Sequence, residues 1–302
     1  MKSDSFDMTS LEAAFAAAAE RKRALSCMGR WKRLWRSPRQ ASLSLIVATL
    51  RNGGTTFRIR TKTFWGAPMT IVLPEVISGE VARFGFVEEN LVSALMAHLR
   101  PNATFFDVGA HFGFFSLLAA DLVGWGRGAV HAFEPVPSTY RILQRNVEPC
   151  GVTALNAALW CEPTEIEITD WGLAMSAFNS VRSPRLQDNT GPKREAAKIK
   201  VPAITLDGYA ETHGLTPDFV KIDAESAEYE VLQGMKRILT EKRPVVSLEV
   251  GDFGVAGARS SRELVEHVCD HGYNALEYSD GTFLLHQLRD RYAYSNIIFV
   301  PR

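Results

Sequence analysis

Phe105-Phe106-Asp107-Val108-Gly109-Ala110-His111-Phe112-Gly113 decides the fold. An apolar run climbs to an acidic residue, breaks at Gly109, and resumes after Gly113 as Phe114, Leu117, Leu118, Asp121 and Leu122 at helical spacing. This reads as a buried strand, a tight glycine turn and a helix start, the first half of a βαβ unit. Gly109 and Gly113 allow a sharp turn and a close approach between backbone and ligand. In open α/β sheets such turns lie at the carboxyl ends of the strands, where ligands bind.

Outward from this stretch, strand and helix signals alternate, as in a parallel sheet. Strands are predicted at 104–109, 129–134, 152–159, 218–223, 244–250, 273–278 and 296–300. Helices are predicted at 113–123, 138–147, 226–239 and 261–271. Glu165-Ile166-Glu167-Ile168 and Lys198-Ile199-Lys200-Val201 read as extra strands flanking a polar loop at 178–195. A loop of that length inside a domain is usually functional, and here it is a candidate substrate lid.

Upstream, residues 10–36 read as one amphipathic helix, with Thr9 and Glu12 at capping-box spacing. A second helix is expected at 41–51, strands at 57–60 and 69–73, and a helix at 86–99 with Phe86, Leu91, Leu95, Met96 and Leu99 on its apolar side. The expected organisation is therefore a basic helical extension at 1–62 and a Rossmann-like domain at 63–302.

At 302 residues the chain is long enough for a sizeable core. Its net charge of zero is unevenly placed: residues 1–62 hold 13 Lys/Arg against 4 Asp/Glu, leaving 21 against 30 in the rest. The basic arm fits an anionic surface, or equally the chain's own acidic body or a neighbouring subunit of a homo-oligomer. Trp31-Lys32-Arg33-Leu34-Trp35-Arg36 suits a peripheral membrane interface, packing on the main domain, or a dimer contact. An acidic body argues against nucleic acid as a partner. Cys27, Cys150, Cys161 and Cys269 are scattered, which points to reduced thiols in a cytoplasmic protein. The start of the chain does not read as a signal peptide, and no apolar run reaches the roughly 20 residues of a membrane span.

The second predicted strand ends His131-Ala132-Phe133-Glu134-Pro135, with Glu134 21 residues beyond Gly113. An acid at that tip can accept both hydroxyls of an adenosine ribose. A dinucleotide fingerprint needs G-x-G-x-x-G, whereas this turn is Gly109-x-x-x-Gly113 with Asp107 just before it. A carboxylate there repels a pyrophosphate and favours a cationic amino group. S-adenosylmethionine, with its ammonium and sulfonium, fits better than a nicotinamide cofactor.

These motifs, together with Thr205-Leu206-Asp207, Phe219-Val220-Lys221-Ile222-Asp223-Ala224-Glu225, Glu228 with Val231-Leu232-x-Gly234, and Ser247-Leu248-Glu249, resemble the FkbM family of S-adenosylmethionine-dependent methyltransferases. The resemblance spans about residues 65–300. It implies an α/β class I methyltransferase fold, a seven-stranded sheet with its last strand antiparallel. It also implies O-methylation of a hydroxyl on a small molecule or sugar, such as a secondary metabolite or glycan. The other reading kept open is a non-catalytic scaffold using the basic helix for membrane or subunit contact.

Carried over by position, the resemblance implies that Asp107, Gly109, Ala110, His111 and Gly113 line the methionine end of the cofactor. Glu134 and Pro135 lie at the ribose, Asn156 and Ala157 at the adenine, and Asp223 faces the reacting methyl. Two positions depart from the pattern: the family usually has asparagine at His111 and glycine at Ser226. An alcohol acceptor benefits from a positioned base. Asp223 is the first candidate, followed by Lys221, Glu225 and His111. Glu225 could instead cap the helix beginning near Ser226, and Glu228 would sit in its first turn. Glu249 could orient substrate. His98, His131, His213, His267, His271 and His286 show no ligand spacing, so no metal is expected.

Overall fold

The computed structural model describes residues 7–28, 55–124, 128–182, 196–252, 254–279 and 281–302. Its centre is the strand β3 (Thr104–Val108), predicted from the opening stretch. Phe105 and Phe106 are both fully buried but face opposite layers. A strand covered on both sides needs apolar residues at every step, and this is why the run is continuous rather than alternating.

The other strands of the main sheet are β4 (Ala129–Phe133), β5 (Thr153–Leu155), β9 (Phe219–Ile222), β10 (Val245–Val250), β11 (Tyr273–Ser279), β12 (Thr282–Leu285) and β13 (Ser295–Pro301). They lie in the order β12-β11-β13-β10-β9-β3-β4-β5. The run β5, β4, β3, β9 and β10 is parallel, and β13 enters antiparallel between β10 and β11. This is the expected seven-stranded sheet with an antiparallel last strand, plus β12, which folds back on β11 as a hairpin. Helices α4 (Phe114–Val123), α5 (Pro137–Val147), α6 (Leu206–His213), α7 (Glu228–Gln233) and α8 (Ser261–Asp270) cover its two faces.

The third predicted strand does not run straight from 152 to 159. Asn156 turns inward and donates from Nδ2 to the carbonyls of Glu134 (2.9 Å) and Pro135 (2.8 Å), ending β5. The chain then leaves the main sheet, and β6 (Ala158–Leu159) joins β8 (Ala197–Ile204) and β7 (Thr164–Asp170) in a separate three-stranded sheet. β7 and β8 are the two extra strands read from the alternating segments. Of the predicted lid, residues 178–182 are described and 183–195 lie outside the described residues.

Other boundaries move for local reasons. The helix expected at 226–239 is shortened to α7, because Glu225 (φ 49°) and Ser226 (φ 78°) hold left-handed backbone that no helix tolerates. The helix expected at 86–99 begins at Glu89, after Glu88 at φ 45°, and forms α3 (Glu89–His98). Ahead of it lies an unexpected helix, α2 (Val76–Phe84), whose N-cap carboxylate, Glu75, accepts from the N–H groups of Ile77 and Ser78.

At the start of the chain, α1 covers Met8–Ser26 and is capped by Asp7, not by the Thr9/Glu12 box. Its apolar side packs on the body: the Phe15 ring lies 5.2 Å from Phe64 and 5.3 Å from Phe86, and Lys22 pairs with Glu80 at 2.6 Å. The Trp31–Arg36 segment and the helix expected at 41–51 lie outside the described residues. β1 (Phe57–Lys62) and β2 (Pro68–Leu73) pair as a hairpin, within which the division expected at residue 62 falls. Among the described residues, no helix is long and apolar enough to cross a membrane.

Candidate active site

The carboxyl ends of β3, β4 and β9 meet in one place because their registers align: Val108 lies beside Phe133 on one side and Ile222 on the other. The residues just past the three strand ends, Gly109, Glu134 and Asp223, are thereby brought together. A cleft of about 730 Å³ opens there. Glu134 and Pro135 stand at one end, Gly109 and His111 in the middle, and Asp223 and Glu225 at the other end. Its apolar walls include Val136, Ala157, Leu159 and Ile168, and Ser176 to Val181 supply the far side.

Glu134 is buried, and each carboxylate oxygen holds one backbone donor: His111 N–H at 3.1 Å and Val136 N–H at 3.0 Å. Burial nevertheless dominates these bonds and pushes the carboxyl up to about 8. Two further lone pairs remain at a carboxylate that lines the cleft, which suits a ligand presenting adjacent hydroxyl donors.

Beneath the cleft lies an ion cluster with Lys221 at its centre. Its side chain is 2% exposed, and its Nζ donates to the carbonyls of Gly109 (2.9 Å) and Val108 (3.3 Å). The same ammonium pairs with Asp107 at 3.2 Å and Asp223 at 3.4 Å. Burial alone would lower its pKa, but the carboxylates of Asp107, Asp223 and Glu88 outweigh that and hold it above the ordinary lysine range. An ammonium held this way keeps its proton and acts as a strut between the strand ends, a geometry that suits positioning. Asp107 is likewise wholly buried, accepts from Ser116 Oγ at 2.6 Å, and lines neither the cleft nor its neighbour. It reaches the turn through Lys221.

The glycines divide the work. A Cβ on Gly109 (φ 72°) would stand 1.8 Å from the Asp223 carbonyl oxygen, so the turn after β3 and the tip of β9 pack only because that position is bare. A Cβ on Gly113 (φ 90°) would instead strike Leu143 and Val147 of α5 at 2.7 and 2.8 Å. The bare Gly113 thus serves helix packing, and it lies outside the linings of the cleft and its neighbour. Ala110 lines the adjoining cavity, and Pro135 and Ala157 line the cleft. Asn156 acts behind it as the turn-former described above.

His111 sits at φ 50°, lines both cavities, and places Nε2 2.7 Å from Ser176 Oγ. Burial pushes its imidazole down to about 3, so it stays neutral at physiological pH. Glu225 lines the cleft and does not cap the following helix. That turn is held by Glu228, whose Oε1 accepts from Ala224 N–H (3.2 Å) and Ser226 N–H (3.1 Å). Carboxylate oxygens of Asp223, Glu225 and Glu249 converge within 4.8 Å of one another, a spacing a cation could bridge, although acidic groups often converge in this way without one.

A second cavity of about 390 Å³ continues from the first past Gly109, His111 and Asp223. Its charged lining adds Lys221 and one residue that sequence reading missed, Glu88. Glu88 carries no motif signal; it arrives because α3 starts beside β13. Asn296 Nδ2 donates to it at 2.7 Å, and Tyr294 supplies a second hydrogen bond. Ser176, on the segment before the predicted lid, was also missed.

Comparison with known proteins places this geometry. A methyltransferase FkbM domain model matches residues 107–275. No curated protein matches. Solved structures with related folds include a methyltransferase FkbM from Methylobacillus flagellatus KT, 16% identical, TM-score 0.42, covering 66% of this chain and 43% of that one. This chain thus spans less than half the length of that relative. A precorrin-6y C5,15-methyltransferase from Geobacter metallireducens GS-15 is 15% identical, TM-score 0.39, covering 69% of this chain and 84% of that one. Fibrillarin from Aeropyrum pernix, solved with natively bound S-adenosyl-L-methionine, is 14% identical, TM-score 0.37, covering 70% and 74%. The family match takes in more than half of the residues, including the carboxyl end of β3 with its glycine turn, the Glu134 tip and the Lys221–Asp223 tip, and the chain belongs to the FkbM methyltransferase domain family.

Proposed function

We propose that this protein is an S-adenosylmethionine-dependent O-methyltransferase acting on a hydroxyl of a small molecule or sugar. The observation that carries the reading is the single cleft with a desolvated Glu134 at one end and the Asp223 tip at the other. Its residues fit the donor. Glu134 would take the ribose hydroxyls, the apolar wall at Ala157 and Leu159 the adenine, and the turn at Gly109 the methionine end. When bound, S-adenosylmethionine supplies an electrophilic methyl on a sulfonium.

The chain's own contribution is alignment, which supplies much of the acceleration in a displacement of this kind. Lys221 locks the tips of β3 and β9 together, so that Asp223 keeps a constant position relative to Gly109. The apolar walls exclude water, the competing nucleophile. The acidic rim of Asp223, Glu225 and Glu249 favours neutral polyhydroxylated or cationic acceptors and disfavours phosphates.

The test is calorimetric titration with S-adenosylmethionine and S-adenosylhomocysteine. Micromolar binding to the wild type and a loss of at least about tenfold in Glu134→Ala are expected, the loss due to a charged acceptor removed from bound hydroxyls. Absence of binding to both ligands refutes the reading.

A further inference from the structure

We propose that Glu88 is the proton acceptor for the incoming hydroxyl, with Asp223 as its ionic neighbour and not itself the base. This rests on the methyltransferase reading above. Glu88 precedes α3 and is carried over the tips of β9, β10 and β13, where it meets Asn296, the register partner of Glu249. The donor's adenosine end lies the other way, at the tips of β4 and β5. The second cavity joins the first at Gly109, His111 and Asp223 and extends past the turn to Glu88, which puts this carboxylate on the Asp223 side, away from the adenosine end.

Three features separate Glu88 from Asp223. Asp223 is a direct counter-ion of Lys221, at 3.4 Å. Glu88 makes no direct ion pair within 4.0 Å among the described residues; its hydrogen-bond donors are the neutral Asn296 and Tyr294, and Lys221 acts on it only from farther off. Its backbone is held at φ 45°, strained for a residue with a side chain, so that its carboxylate enters the cavity. The groups that face it are Asp223, Lys221, Asn296 and Tyr294. Burial and the Asp223 charge push it up to about 7, against the opposing pull of Lys221 and the two hydrogen bonds. That is close to the value a base needs to act at neutral pH.

In the step itself, a lone pair of the acceptor oxygen forms the new O–CH3 bond. The methyl–sulfur bond breaks with its electron pair going to sulfur. The hydroxyl proton passes to the Glu88 carboxylate, which later releases it to water. Atoms and charge balance with no other reactant.

The experiment uses S-adenosylmethionine with a tritiated methyl and a small-molecule extract of the native cells as the acceptor pool, with calorimetry on each variant. Glu88→Gln is expected to bind S-adenosylmethionine within about twofold of wild type while transferring label about 100-fold slower or worse, the usual loss for a missing base. Glu88→Asp should keep an intermediate rate. The wild-type rate should rise with pH through about 7. Tyr294→Phe, at a half-exposed residue, removes a bond that favours the ionised carboxylate, so it should move that rise to higher pH. A purely structural Glu88 would not produce this shift, and the shift remains readable if Glu88→Gln does not fold. Wild-type transfer rates in Glu88→Gln, or an unmoved pH profile in Tyr294→Phe, overturn the assignment. Weakened donor binding in Glu88→Gln with the rate kept at saturation also overturns it, placing Glu88 on the methionine ammonium. A wild type that transfers no label overturns the methyltransferase reading, and this inference with it.

Discussion

Glu134 couples donor binding to a proton. In the free protein its carboxyl is pushed up to about 8 by burial, with only two backbone donors in compensation. Ribose hydroxyls would add donors to the ionised form alone. At pH 7 a group titrating near 8 is ionised in only about a tenth of molecules, so binding should release about 0.9 proton. Apparent affinity for S-adenosylhomocysteine should then rise about fivefold from pH 7 to pH 8 and fall about ninefold from pH 7 to pH 6. The assay is calorimetry at pH 7 in two buffers of different ionisation enthalpy, followed by a pH series. Flat affinity across that range, with equal heats in both buffers, would refute the argument. Glu134→Gln should abolish the proton release and weaken binding.

The same shift has a stability consequence of opposite sense. The folded carboxyl holds its proton up to about 8, whereas the unfolded one loses it near 4.5. Between those values the folded state binds more protons, so its stability falls as pH rises through this window. Without ligand, Glu134→Gln should therefore melt higher than wild type at pH 8 and show less advantage at pH 5. The donor-binding residue is predicted to be a destabilising one.

The remaining predictions concern the scaffold beneath the cleft. Gly109→Ala places a Cβ 1.8 Å from the Asp223 carbonyl, which neither backbone can relieve locally, so a large fall in soluble yield and urea midpoint is expected; a wild-type midpoint would contradict the packing of β3 on β9. Lys221→Met leaves Asp107 buried without its cation and should cost about 3–5 kcal/mol in urea unfolding. Adding Asp107→Asn should recover part of that loss, and no recovery would show that Lys221 acts by packing. Ser226→Gly frees a residue held at φ 78° and should raise stability by about 1 kcal/mol; a lower midpoint would mean that the serine side chain outweighs the strain.

Sequence periodicity was informative where burial is two-sided and contacts are local. β3 and its neighbours were legible because each is a short apolar run ending in a functional residue, and Glu134 because its spacing from the glycine turn is set by one helix and one strand. Residues whose surroundings depend on distant partners were not legible. Gly113 looked like a ligand contact, but its bare Cα is used by Leu143 and Val147, some thirty residues away in sequence. Lys221 looked chemical because it sits in a motif with two acids, yet four acceptors from the ends of two neighbouring strands immobilise it. Glu88 was invisible, because nothing near it in sequence reveals that β13, two hundred residues later, brings Asn296 to its carboxylate.

The backbone itself marks the site independently of any motif. Six non-glycine residues among those described adopt positive φ: Glu88, Asn102, His111, Glu225, Ser226 and Arg243. Glu88, His111 and Glu225 line the two joined cavities, and Ser226 adjoins Glu225. Left-handed backbone costs such residues roughly 1–2 kcal/mol each, so four at one place is a concentration that packing alone would not keep. Each strained residue aims a group that an unstrained chain would direct elsewhere: the Glu88 carboxylate into the acceptor cavity, the His111 N–H onto Glu134, and the Glu225 carbonyl onto Ser180 Oγ. His111 and Ser226, where the resemblance implies asparagine and glycine, are both in this set. Asparagine and glycine are the residues that tolerate left-handed backbone best. The residues present at these two positions therefore add strain to backbone that asparagine and glycine adopt more cheaply, and the urea midpoint of Ser226→Gly reads that cost directly.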